Sequence, residues 1–372
     1  MDIRKGVKYL KAKYTQLAKY ALTHEWMLAL LLAFAVIIVG LVMGAENNKI
    51  ISANPLQLVH YSLEPTNKLS FLANWDGVDY ISISLHGYTS AFMTGFFPFY
   101  PALIAILHKI IDSSLMDGLI ISWACLVGAI YYYLKIIKLY FDISDNIEAL
   151  KAALLFVIFP SGVYLLSVYT ESLFALLALG AIYYALRKRY VKAGLLAMLT
   201  TATHITGVFL LLLVVLILIE EREKIWNVFI TLVIGSLGLL SYMTYLLFRY
   251  HNPLEFINAQ TDHHWLQNAL ISKLSSFGMI DYILAIIIIL TTVYWWRRRK
   301  SFAIYSGLFL LIPLIGGQFG GYLRYALMVF PLQFMLFEHL RNKKFAYTVI
   351  LILFGMGWTY ITLQYAAGYV IS

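Results

Sequence analysis

Two carboxylates three residues apart, Asp76 and Asp79, sit beside Trp75 in "FLANWDGVDYISISLHGY" (71–88), with His86 following. A carboxylate can take a proton from a hydroxyl nucleophile, and a nearby cation can hold an anionic leaving group. Other groups able to take part are scattered along the chain. They are Glu171 in "YTESLF", His204 in "TATHITG", the loop "NPLEFINAQTDHHW" (252–265), and Arg324 in "GGQFGGYLRYALMVFP" (316–331). Each also has a plain structural reading. Asp76 could satisfy free N–H groups at a helix start, and capping and catalysis stay equally open for it. Asp79 fits a solvated or helix-terminal role, Glu171 an N-terminal charge on a helix, and His204 a packed imidazole bonded to backbone. Arg324 could snorkel, but Gly316, Gly317, Gly320 and Gly321 leave little bulk beside it, so it can instead face a cavity and clamp a phosphate. His263 and His264 are adjacent and would point apart on a helix, which is weak ground for a metal pair.

The elements that must position these groups are membrane helices. The 372 residues are 61% hydrophobic and only 13% charged, with a mean hydropathy of +0.78, whereas soluble domains carry about 25% charge. The fold class expected is an all-α polytopic membrane protein, with room for roughly ten spans of about 20 residues. The net charge of +9 is read by position, as basic loops beside span ends, and no nucleic-acid partner is expected. The single cysteine, Cys125, lies in an apolar run and offers neither a disulfide nor a zinc motif.

Residues 1–23 alternate lysines (Lys5, Lys8, Lys11, Lys13, Lys19) with tyrosines and leucines, the pattern of a basic amphipathic helix on the cytoplasmic face. The apolar run Trp26–Ala45 is too long for the core of a cleaved signal, so cleavage is not expected. With the N-terminus inside, one path keeps every later basic cluster inside as well. Its eleven spans cover 25–45, 118–140, 150–167, 170–187, 190–203, 206–220, 225–248, 278–296, 301–316, 323–339 and 345–366. Residues 24–372 then form one transmembrane domain, and 46–117 become one large external loop. Within that loop "FFPFYPALIAILHKII" (96–111), broken by Pro98 and Pro101, lies along the membrane rather than crossing it. The short segments should line a cavity. On this path the candidate polar residues all emerge on the outer side, and ionisable groups at membrane depth are functional candidates by default. Residues 76–88 read as a helix with Asp76, Asp79, Ile83 and His86 on one stripe.

Five pieces in order resemble the PIG-V family, the second mannosyltransferase of GPI-anchor assembly and its prokaryotic relatives. They are "NWDGVDYISISLHGY...FFPFYP", "FPSGVYLLSVYTESLFALLALGAIYYA", "AGLLAMLTTATHITGVFLL", "NPLEFINAQTDHHW" and "RYALMVFPL", and together they cover roughly residues 70–335. One departure is His204, where relatives usually carry Arg. The resemblance implies a GT-C-like bundle and a multi-pass glycosyltransferase moving a hexose, with mannose inherited from the family. The donor implied is a polyprenyl- or dolichyl-phosphate sugar, and the acceptor a lipid-linked or surface glycan. Asp76 would be the base for an inverting transfer. Arg324 would clamp the phosphate, either assisted by a charged His204 or alone. Substrate contacts are expected from Trp75, Asp79, His86, Glu171, Gln260, Trp265 and Tyr325. Asp76, Asp79, Glu171 and His263 could converge on a divalent ion, but the resemblance points to no cofactor. Compactness and short loops place the protein in a prokaryotic plasma membrane rather than the endoplasmic reticulum, with its active site outside. The alternative is a transporter or lipid flippase using the same charges; that reading expects related halves, and no convincing internal repeat is present.

Overall fold

A computed structural model describes residues 24–47, 68–262, 279–311 and 322–369. The described residues form helices and turns, with no strand among them. In chain order the helices are α1 (Glu25–Asn47), α2 (Asp76–His86), α3 (Phe99–Ile111), α4 (Ser114–Phe141), α5 (Asn146–Val157), α6 (Glu171–Leu186), α7 (Tyr190–Thr201), α8 (Gly207–Glu220), α9 (Ile225–Tyr250), α10 (Glu255–Asp262), α11 (Met279–Trp296), α12 (Lys300–Leu308), α13 (Tyr322–Ala326), α14 (Phe330–Leu340) and α15 (Lys344–Ala366). Five of them, α1, α4, α9, α11 and α15, are long and apolar enough to cross a membrane on their own. Their exterior is apolar. Leu31, Phe34 and Val42 of α1 and Phe345, Ile352 and Met356 of α15 are each more than half exposed. A soluble protein would bury such a surface; in a bilayer it faces lipid. The protein is a multi-pass, all-α membrane protein.

Most expected spans match helices to within a few residues. Three do not: the helix expected over 301–316 stops at Leu308, with residues 312–316 outside the described residues, and the other two departures bear on the site. The span expected at 150–167 stops as a helix at Val157, and residues 158–170 run as an irregular segment with one 3-10 turn at Gly162–Leu165. Pro160 cannot continue the helix. Residues 161–170 are buried throughout, so their polar groups need partners. Those come from distant side chains and strands of backbone: Trp123 Nε1 donates to the Leu166 carbonyl (2.9 Å), the Val168 N–H donates to the Leu72 carbonyl (2.8 Å), and Ser172 Oγ donates to the Leu165 carbonyl (2.6 Å). Gly162 is required here, because a Cβ would lie 2.4 Å from the Val157 carbonyl oxygen. The span expected at 323–339 is likewise broken at 327–329, between α13 and α14. Gln333 Nε2 and Tyr305 Oη donate to the carbonyls freed there, those of Leu327 and Met328.

The first stretch after the opening motif folds as α3, 13 residues or about 20 Å. That is too short for a hydrocarbon core of about 30 Å. It packs as a hairpin on α4, clasped by His108 Nδ1 and Asp117 Oδ2 at 2.9 Å.

Ion pairs gather the basic helix ends. Lys138 bonds Glu25 (2.8 Å), Lys188 bonds Glu223 (2.8 Å), Arg298 bonds Glu338 (2.5 Å), and Arg299 reaches both Glu220 (3.3 Å) and Glu221 (2.8 Å). These contacts join the start of α1 to the end of α4, and link the ends of α6, α8, α11 and α14. Glu171 begins α6 at its opposite end, about 24 Å away.

Candidate active site

At that opposite end, three charged side chains from three distant parts of the chain meet. Arg324 Nη1 donates to Asp76 Oδ2 at 2.5 Å, and Arg324 Nε lies 2.9 Å from Glu171 Oε1. The second contact is an ion pair without hydrogen-bond alignment. The three are unequally accessible: Glu171 is 4% exposed, Arg324 15% and Asp76 23%. The guanidinium is also ringed by aromatic faces, with Tyr169, Tyr325 and Tyr164 centroids 5.3, 5.4 and 5.7 Å away, each a favourable cation–π placement.

Local chemistry explains how each group is held. Asp76 is the first residue of α2, with Trp75 at the N-cap position before it, and its side chain is engaged by Arg324 rather than by the helix start. Trp75 before it has φ +50°, a left-handed conformation that a bulky residue adopts only under constraint. The constraint is visible. Asn74 Nδ2 donates to the Tyr365 carbonyl (3.0 Å), Tyr169 Oη donates to the Asn74 carbonyl (3.0 Å), and the Trp75 ring lies 5.2 Å from that of Tyr365. The NWDG run is therefore strapped between the C-terminal helix α15 and the irregular 158–170 segment. Gly77 fits because a Cβ there would already press on the Val168 carbonyl oxygen at 3.1 Å. Glu171 sits in the first turn of α6, where a carboxylate is favoured by the helix dipole. Its Oε2 is buried and has no hydrogen-bond partner among the described residues. Arg324 is delivered by the short α13, whose position is fixed partly by Ser161 Oγ donating to the Leu323 carbonyl (2.8 Å).

His204 lies in the turn between α7 and α8, its ring 5.8 Å from Tyr325 and 6.2 Å from Phe174. The Thr206 N–H donates to its Nδ1 (3.2 Å), which leaves Nε2 to carry the proton of a neutral ring. Burial, reinforced by Arg324, pushes the imidazole down to about 3. The expectation of a charged His204 assisting Arg324 is thus corrected: desolvation and like-charge repulsion hold it neutral. Its neighbour Tyr325 does join the site, as a ring face on Arg324.

Of the remaining expected residues, Asp79 is half-buried on α2. His86 is exposed at the far end of the same helix, about 15 Å along its axis from Asp76. Gln260 falls on α10; Trp265 and His263 lie outside the described residues. Among the described residues no group of three or more His, Cys, Asp or Glu is placed to hold a metal ion. Sequence reading missed Asn74, Tyr164, Tyr169 and Tyr365. The first three adjoin or lie within quoted motifs; Tyr365 carries no local signal at all.

Beside the site an apolar groove of about 560 Å³ opens between α2, α3, α7 and α9. Ile83, Tyr88, Phe99, Leu199, Tyr242 and Tyr245 line it. Its wall on α2 begins two turns from Asp76, and the Phe99 N–H ties it to the turn carrying His204 by donating to the Ala202 carbonyl (3.1 Å).

Known proteins resemble this chain in sequence. GPI alpha-1,6-mannosyltransferase 2 of Mus musculus is 28% identical over 153 residues, 37% of this chain and 30% of the mouse protein. The Homo sapiens counterpart is 30% identical over 149 residues, again 37% of this chain and 30% of the human protein. The match spans less than a third of the length of these curated relatives. No solved structure matches the chain. The sequence model of the family described as Mannosyltransferase (PIG-V) matches residues 14–277, which takes in Asp76, Glu171 and His204 and stops short of Arg324. A match over well more than half its length means that the chain belongs to the PIG-V mannosyltransferase family.

Proposed function

We propose that this protein is an integral membrane glycosyltransferase. It transfers a hexose, by family mannose, from a polyprenyl- or dolichyl-phosphate donor to a lipid-linked or surface glycan on the outer or lumenal face. The observation that carries this reading is the convergence of Asp76 and Arg324 across 248 positions of sequence, inside a ring of tyrosines at one end of a membrane bundle.

In the proposed reaction Asp76 takes the proton of an acceptor hydroxyl as that oxygen bonds to the anomeric carbon from the face opposite the phosphate. The bond between the anomeric carbon and the phosphate oxygen breaks, and its electron pair leaves with the lipid phosphate. Arg324 stabilises that developing charge. Configuration at the anomeric carbon inverts. The apolar groove suits the isoprenoid chain of the donor, because a single helix, α2, carries both its wall and the base. Tyrosine faces around Arg324 offer the C–H stacking surfaces that sugars use. Asp79, Gln260 and Trp265 remain the proposed sugar or acceptor contacts. The placement of the basic ends inside and the site outside follows the positive-inside tendency.

The test is transfer by purified protein in lipid, supplied with radiolabelled polyprenyl-phosphate mannose or glucose and a pooled membrane-lipid acceptor. Label moving to a new product with wild type and not with Asp76→Asn supports the assignment. A folded wild type that consumes neither donor sinks it.

A further inference from the structure

Arg324 is the one cation beside Asp76 and Glu171 among the described residues, since His204 is held neutral. With both carboxylates ionised the trio carries one net negative charge. A lipid phosphate arriving in that state would meet a guanidinium whose Nη1 is already bonded to Asp76 and whose Nε faces Glu171. The two carboxylates are not equivalent. Asp76 holds Nη1 by a hydrogen bond and is the more exposed. Glu171 lies behind, nearly sealed from solvent, against Nε. Anything entering from the open side reaches the Asp76 edge first.

We propose that the phosphate of the lipid donor displaces Asp76 from Arg324, so that donor binding itself releases the base, while Glu171 keeps Arg324 in place throughout. This rests on the reading of Arg324 as the phosphate clamp. Asp76 then has two states: engaged with Arg324 when the site is empty, and released to meet an acceptor hydroxyl once phosphate has taken its place. Glu171 is a positioning residue. It never gives up the guanidinium, and the rigid start of α6 fixes its location. The order of events follows: the base is released only after the donor is seated.

The experiment is equilibrium binding of a polyprenyl phosphate without sugar to the full chain in lipid nanodiscs. Asp76→Asn removes the competitor for Nη1 and should bind about 10-fold more tightly than wild type, although it cannot transfer sugar. Asp76→Ser carries the same expectation if the Asn variant is lost in purification. Glu171→Gln removes the same charge from the other edge but leaves the competitor, and should bind within about twofold of wild type. Tightening in both to the same degree would show simple charge removal and overturn the exchange, as would no tightening in either Asp76 variant. Arg324→Gln should lose binding. If it binds as wild type does, the clamp reading itself fails, whatever the Asp76 variants do.

Discussion

Arg324 and Asp76 share a 2.5 Å hydrogen bond although 248 residues separate them. One lies inside the part of the chain matched by the family and the other beyond it. The base candidate and its counter-charge are thus supplied by different portions of the sequence, and neither is complete alone.

Removing the counter-charge should therefore be costly to the fold. Arg324→Gln leaves Asp76 and nearly sealed Glu171 without a cation, and breaking such a buried pair typically costs about 3–5 kcal/mol. The double variant Arg324→Gln, Glu171→Gln removes one of the stranded charges and should melt higher than Arg324→Gln alone. Thermal unfolding in detergent reads the difference. A double variant that melts lower would contradict the pairing.

The pH response of His204 has a definite sign. Its folded value is depressed to about 3 from an ordinary 6.5, so the unfolded chain takes up a proton that the folded chain refuses. Stability is unaffected above the ordinary value and falls as pH drops below it. Wild type should lose melting temperature between pH 7 and 5, and His204→Asn should lose less. Equal losses in the two proteins would mean that the imidazole is not held neutral.

Two glycine positions predict opposite outcomes for one substitution. At Gly162 an added Cβ would fall 2.4 Å from the Val157 carbonyl oxygen, whereas at Gly355 nothing lies within 4 Å. Gly162→Ala should destabilise by about 1–3 kcal/mol and lower activity, because the segment it disturbs carries Tyr164, Tyr169 and Glu171. Gly355→Ala, in the middle of α15, should be neutral or stabilising by up to about 1 kcal/mol. Melting curves of the two variants decide.

Orientation can be read by labelling. Cys125 is buried and can be replaced by Ala. Thr89→Cys, an exposed position just past the end of α2 away from Asp76 and within the loop expected outside, should react with an impermeant maleimide in intact cells. Arg298→Cys, at the paired basic end, should react only after the membrane is opened. The reverse pattern would invert the proposed topology.

Element positions were legible where the physics is one-dimensional. An apolar run bounded by basic residues is a helix because the bilayer demands satisfied backbone, and α1, α4, α9, α11 and α15 follow the expected limits closely. The convergence of Asp76, Glu171 and Arg324 at one end was legible through charge placement, since positive-inside threading alone sent all three to the same face. The breaks at 158–170 and 327–329 were not. An irregular backbone can be buried there only because Trp123, Ser172, Tyr305 and Gln333, from other helices, donate to it, and such partners are invisible along the sequence. Tyr365 escaped for the same reason: nothing in "TLQYAAG" distinguishes a tyrosine facing the site from one facing lipid. The charged His204 failed because its protonation depends first on burial that only the fold creates, and then on an arginine 120 residues away (324 less 204).

The ion pairs at the basic end have a mechanical meaning. They fasten α6, α8, α11 and α14 to one another through carboxylate bridges, while at the opposite end the long-range ion pairs among the described residues converge on Arg324. A bundle riveted at one rim and latched by one guanidinium at the other behaves like a clothes-peg. If the donor is a lipid phosphate, as proposed, its entry would open the latched jaw and leave the riveted rim still.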